Sequence, residues 1–254
     1  MSADQETSRD ALGWRCKFAV VAPSTNTIVQ PDMDDMRLPG VTNHYGRIYV
    51  SNMDIGGDDD FVALIRALEA ELRNAVERCM TCEPDYLIMG VSALMFWDGR
   101  AACEQRLAEL SEFAGVPVSA GSFACEEAVK LTGARRIGVI SPYQPVSDRE
   151  VTRFFQDCGF EVLAFKGLRC PSPVAIAHVQ PDTLRSHLRE LDDDRIEAWV
   201  QVGTNLSMVA LAREMEAELG KPVIAINAAT YWHALRQAGI TDQFDGHGPL
   251  FADH

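Results

Sequence analysis

Two stretches of this chain are written on one plan. Leu87-Ile-Met-Gly-Val-Ser-Ala-Leu-Met95 and Val200-Gln-Val-Gly-Thr-Asn-Leu-Ser-Met208 each run from an apolar strand into a glycine, then small polar residues, then an apolar helix-like stretch. A second pair keeps the same order. Phe18-Ala-Val-Val-Ala-Pro-Ser-Thr-Asn26 and Ile137-Gly-Val-Ile-Ser-Pro-Tyr143 are buried-strand runs that end in proline and polar side chains. Gly115-Val-Pro-Val and Gly220-Lys-Pro-Val form a third pair, each leading into a helix that stops at Gly133 or Gly239. A unit of roughly a hundred residues therefore occurs twice, and each half must build the same supersecondary structure.

The elements between these landmarks alternate. Strands are expected at Phe18–Ala22, 47–53, Tyr86–Met89, Arg136–Ile140, Phe160–Phe165, Ala198–Val202 and 222–226. Phe61, Leu64, Ile65, Leu68, Leu72 and Val76 recur at helical spacing, as do Leu184, Leu188 and Leu191. Short continuous apolar strands alternating with helices predict an α/β fold, with parallel sheets flanked by helices. In such sheets ligands sit at the carboxyl ends of the strands. Ser24–Thr27, Gly90–Ala93, Pro142–Gln144 and Gly203–Asn205 thereby fall on one rim.

Composition narrows the partners. The net charge of −14 argues against nucleic acid and anionic membrane, both of which select a basic footprint. It leaves room for an anionic ligand, since backbone N–H groups hold carboxylates without Arg or Lys. No apolar run approaches the roughly 18 residues of a membrane span, and no signal peptide is expected. Seven cysteines without paired spacing point to free thiols and a cytoplasmic setting. Cys79-x-x-Cys82 has no second ligand pair, so it reads as a helix end rather than a zinc site. Glycine-rich phosphate loops are absent, the six histidines are scattered, and no cofactor is expected. Asp58–Asp60 and Asp192–Asp194 read as solvated turns.

Each rim residue has two readings. Ser24, Asn26 and their neighbours can bind a carboxylate, or cap a helix and shape a turn. Gly90, Val91 and Ser92 can bring backbone N–H groups to an anion, or simply turn the chain. Tyr143 can donate its phenol to a substrate oxygen, or satisfy a structural partner. Gly203, Thr204 and Asn205 repeat the Gly90 segment in the second half.

Taken in this order, Pro-Ser-Thr-Asn-Thr27, Met-Gly-Val-Ser92, Ser-Pro-Tyr143 and Gly-Thr-Asn-Leu206 resemble the aspartate/glutamate racemase superfamily, in its maleate isomerase and arylmalonate decarboxylase branch. The likeness runs from about Phe18 to Gly239. It implies two pseudo-symmetric domains, residues 1–121 plus 228–254 and residues 122–227, with the last helix returning to the first domain and the active-site cleft between them. By the same resemblance Asn26 binds the substrate carboxylate, Val91 and Ser92 hold an oxyanion, and Tyr143 contacts the carboxylate. Thr204 and Asn205 follow the second catalytic position, and Phe61 lies near a lid loop. The family's two facing cysteines correspond to Gly90 and Gly203, and none of the seven cysteines falls at either place.

Glycine offers space and an N–H, whereas a thiolate offers a nucleophile and a base. The expected enzyme is therefore an isomerase or lyase acting on a small mono- or dicarboxylic acid through an enolate-like intermediate, without thiols or cofactors. Ser92 and Tyr143 are its catalytic candidates, and Ser24, Asn26, Gly90, Val91, Gly203, Thr204 and Asn205 join them in binding. The chain is open to homo-oligomer formation. The other reading is a non-catalytic carboxylate-binding or sensor protein derived from such an enzyme.

Overall fold

Strand β1 (Cys16–Pro23) shows how the sequence builds its core: successive side chains leave a strand on opposite faces. Phe18, Val20 and Ala22 enter one apolar cluster, while Ala19 and Val21 enter another, and all five are fully buried. A strand covered on both faces must be continuously apolar, and this one is. The computed structural model describes residues 10–254.

The first sheet contains β1, β2 (Val41–Ile48), β3 (Tyr86–Met89) and β4 (Val118–Ala120) in the order β2-β1-β3-β4. The second contains β5 (Arg136–Ser141), β6 (Glu161–Gly167), β7 (Ala198–Gln201) and β8 (Val223–Ala225) in the order β6-β5-β7-β8. Every pairing is parallel, and the two orders correspond strand for strand. The repeated sequence unit is thus a repeated topology. Both sheets carry helices on both faces, as expected for an α/β chain.

Strand β2 corrects the expectation of a strand at 47–53. It lies earlier and pairs with β1 from Cys16↔Val41 to Pro23↔Ile48. Its polar Thr42, Asn43 and His44 hide the apolar signature, because a sheet-edge strand needs less cover than a central one. Helix α1 (Val29–Asp35) was not foreseen; it is short, contains Pro31 and buries only Val29 and Met33. Helix α2 (Asp58–Met80) buries the stripe Phe61, Leu64, Ile65, Leu68, Leu72 and Val76 as its spacing predicts. It begins at Asp58, so the Asp58–Asp60 run is a helix start, where carboxylates favour the positive end of the helix dipole.

The remaining helices are α3 (Gly99–Ala114), α4 (Gly121–Thr132), α5 (Pro145–Asp157), α6 (Pro181–Leu191), α7 (Val209–Leu219), α8 (Ile226–Gln237) and α9 (Pro249–Ala252). Helix α4 follows β4 yet packs on β7 and β8, while α8 follows β8 yet packs on β3, β4 and α1. The two cross side by side. At Gly121 a Cβ would lie 2.6 Å from the Ile226 side chain and 3.0 Å from Thr230, so glycine is what lets α4 and α8 approach. No helix among the described residues is long and apolar enough to cross a membrane.

Candidate functional site

The loops after β1, β3, β5 and β7 converge, because parallel strands in register end together. They enclose a small cleft of about 50 Å³, lined on its polar side by Asn26, Ser92, Tyr143, Thr204 and Asn205. Its other walls are apolar: Val50, Phe61, Leu64 and Leu68 from the first half, Pro173 and Ile176 from the second. Ligand sites usually hold several hundred Å³, so the cleft as it stands is small for a bound ligand. Tyr143 is the one titratable side chain among the described residues lining it.

Both halves supply the polar side. Asn26 Nδ2 donates to Thr204 Oγ1 at 3.0 Å, and Thr204 Oγ1 donates to the Gly90 carbonyl at 3.0 Å. Asn26 Oδ1 accepts the N–H groups of Ile28 and Val29, both at 3.0 Å, satisfying the first turn of α1. Asn205 Oδ1 accepts the Thr27 N–H at 2.9 Å, and its Nδ2 donates to the Pro173 carbonyl at 2.9 Å. Asn26 and Asn205 thus tie the halves together as well as lining the cleft.

Ser92 and Tyr143 are arranged differently. Their oxygens are 2.5 Å apart, and Ser92 Oγ also accepts the Thr204 N–H at 3.1 Å. Each hydroxyl carries one proton, and only one of the two is needed for their mutual bond. The pair therefore has one O–H to spare. Burial pushes the Tyr143 phenol well up; the Ser92 hydrogen bond opposes this and the Asp148 charge adds to it. Tyr143 is 5% exposed and stays neutral, a donor rather than a base.

A hydrogen-bonded scaffold fixes Tyr143 from behind. Ser141 Oγ accepts the Tyr143 N–H at 3.2 Å and donates to Asp148 Oδ1 at 2.6 Å. Arg169 donates to the Tyr143 carbonyl at 2.6 Å and pairs with Asp148 Oδ2. The Phe61 ring packs against the phenol with centroids 5.3 Å apart.

The structure brings Asn26, Val91, Ser92, Tyr143, Gly203, Thr204 and Asn205 into one lining. Ser24 and Gly90 are outside it. Ser24 Oγ instead donates to the Val50 carbonyl and accepts the Val50 N–H, both at 3.1 Å. Gly90 contributes its carbonyl to Thr204.

The arylmalonate decarboxylase family model matches residues 46–251. The chain belongs to that family. Its relatives include maleate isomerase of Pseudomonas putida, 26% identical over 150 residues, which are 59% of each chain. Another is arylmalonate decarboxylase of Bordetella bronchiseptica, 27% identical over 170 residues, covering 65% of this chain and 69% of that one. The matched stretch thus spans about three fifths of the Pseudomonas relative. The solved maleate cis-trans isomerase of Nocardia farcinica, bound to TRIS, superimposes with a TM-score of 0.84 at 17% identity, covering 93% of this chain and 97% of that one. A crystal structure of arylmalonate decarboxylase gives 0.71 at 18%, covering 94% and 100%. The fold is therefore that of the maleate isomerase and arylmalonate decarboxylase branch.

Within this family member, no cysteine among the described residues lines the cleft. Gly203 has φ +104°, and a Cβ there would lie 2.6 Å from the Pro142 ring; at Gly90 it would lie 3.1 Å from Ala22 Cβ. The apolar residues Val50, Pro173 and Ile176 escaped the sequence reading, because Val50 and Pro173 sit in loops and Ile176 in a single 3-10 turn (Val174–His178), all too short for a periodic signal. The Arg169–Asp148 support escaped it too, since nothing local pairs residues that far apart.

Proposed function

We propose that the chain is a cofactor-independent, thiol-free enzyme of the decarboxylase type. In this reading it acts on a small dicarboxylic acid with an apolar substituent and holds an enolate-like intermediate at Ser92 and Tyr143. The observation that carries the reading is the Ser92–Tyr143 pair, 2.5 Å apart, beside apolar walls, with no other titratable side chain among the described residues lining the cleft. Isomerisation through a thiol adduct, or racemisation through proton abstraction, requires a nucleophile or base. Loss of carbon dioxide requires neither.

The carbon–carboxylate bond breaks, its electron pair passes into the remaining carboxylate as an enediolate, and carbon dioxide leaves. The spare O–H of the pair, with the backbone N–H groups near Val91, stabilises that charge. Tyr143 or Ser92 then donates a proton to the α-carbon and recovers one from solvent. Phe61, Leu64 and Ile176 keep water from the departing carboxylate, which favours its loss as a neutral molecule. Asn26, Thr204 and Asn205 hold the retained carboxylate once the cleft opens to admit it. The names of the relatives, maleate isomerase and arylmalonate decarboxylase, support the substrate class.

The first experiment is a thermal-shift screen of small mono- and dicarboxylates, with each hit followed by NMR. A substituted malonate that stabilises the protein and turns into the monocarboxylic acid supports the reading. In deuterated water the product carries deuterium at the α-carbon. Stabilisation by a ligand that persists unchanged for days contradicts it and favours a carboxylate sensor.

A further inference from the structure

Beyond the cleft, on the other side of the loop that closes it, lies a second concavity of about 480 Å³. Lys166 at the end of β6, Arg169 in the following loop, His178, and Thr183 and His187 on α6 line it. No aspartate or glutamate among the described residues does. The chain has 37 acidic residues against 23 Lys and Arg, so a concavity with one Lys, one Arg, two His and, among the described residues, no acid runs against its average.

Elsewhere several arginines are paired with carboxylates: Arg15 with Asp242, Arg136 with Glu197, Arg189 with Glu218. Here the commitments are few. Lys166 takes part in no ion pair or side-chain hydrogen bond among the described residues. His187 Nδ1 is buried without a hydrogen-bond partner, and the nearest carboxylate oxygen, on Glu190, is 3.6 Å away. Only Arg169 is engaged, through Asp148 and the Tyr143 carbonyl. Leu168 and Val179 add apolar lining.

We propose that this concavity binds a small organic anion with a dianionic oxyanion head, of the phosphate-monoester type, on an apolar body. The Lys166 ammonium group, the imidazoles, the Thr183 hydroxyl and the guanidinium N–H groups that Arg169 keeps outside its Asp148 pair are donors suited to such a head. The volume falls in the range of small-molecule sites and far exceeds the head alone. The inference does not depend on the chemistry of the cleft. Its link to the cleft is structural: Leu168 N–H donates to the Ser141 carbonyl and Cys170 N–H to the Pro142 carbonyl, at 2.8 and 3.0 Å. The same loop passes Pro173 to the cleft wall.

The test is isothermal titration calorimetry of the whole chain with phenyl phosphate, inorganic phosphate and benzoate at millimolar concentration and low ionic strength. Phenyl phosphate is expected to bind one to one and more tightly than either of the others. Lys166→Ala is expected to weaken it about tenfold, as loss of a charge-assisted bond does, and Lys166→Arg to restore it. Ser92→Ala, at the cleft, leaves this binding unchanged. Absence of saturable binding, benzoate binding as tightly as phenyl phosphate, an unaltered Lys166→Ala, or loss of binding in Ser92→Ala would each overturn the proposal. The last outcome would move the anion to the cleft and separate the two sites experimentally.

Discussion

Gly203 carries a φ of +104°, a region that L side chains rarely adopt, and the Pro142 ring fills the space a Cβ would need. Gly203→Cys is therefore expected to destabilise the protein by about 1–3 kcal/mol rather than to install a working thiol. A urea midpoint lowered with an unchanged slope is the readout. Asp32 offers a second residue-scale expectation. Burial pushes its carboxyl up to about 6, a hydrogen bond from Asn227 pulls it down, and the Asp35 charge adds to the rise. A raised acid stabilises the fold fully below its unfolded pKa, near 4, and that contribution is lost as pH rises through about 6. Asp32→Asn, which keeps an oxygen for Asn227, is expected to gain about 1–3 kcal/mol over the parent above pH 6 and nothing near pH 4. Denaturant melts at the two pH values read this directly. At this scale Ser92, Tyr143 and Asn26 were legible because strand-end polar residues repeat in both halves. Ser24 shares their local pattern but turns its hydroxyl to Val50, a choice set by a distant loop.

Between elements, Asp58 joins the halves. It opens α2 yet accepts the Val146 N–H of α5 at 2.8 Å and pairs with Arg149 at 3.0 Å. Two more bonds support the same closure: Ile55 N–H to the Pro171 carbonyl at 2.7 Å, and Val174 N–H to Asn52 Oδ1 at 3.0 Å. Asp58→Ala removes a helix cap, which costs about 1 kcal/mol. Faster hydrogen exchange in the first turn of α5 and around Ile55 is the expected sign, with exchange in β1 unchanged. The Asp58–Asp60 run was readable as polar, but its partner lies in the other half of the chain, so spacing alone could not identify a cap. Central strands were legible from their apolar runs, whereas β2 was misplaced because Thr42, Asn43 and His44 break its pattern. We propose that α8 belongs with residues 1–121, since it packs on β3, β4 and α1.

At the level of the whole molecule, a sequence repeat becomes two sheets of matching order whose strand ends share one cleft. The repeat was legible because each half needs the same buried strands. The closure of the cleft and the basic concavity were not, because both depend on how loops from distant parts of the chain meet. Burial pushes four of the thiols up, Cys16 and Cys103 to about 12 and Cys79 and Cys170 to about 11, so these four are poor nucleophiles. The most direct measurement is a carbon-13 NMR time course of a substituted malonate with three preparations: the native protein, the protein treated with iodoacetamide under native conditions, and the Ser92→Ala/Tyr143→Phe variant. Thiol-free decarboxylation predicts carbon dioxide and monocarboxylic acid at equal rates from the first two. From the variant it predicts a rate lower by about two to three orders of magnitude. Turnover that alkylation abolishes in a still-folded protein, or that survives the double substitution intact, would contradict it.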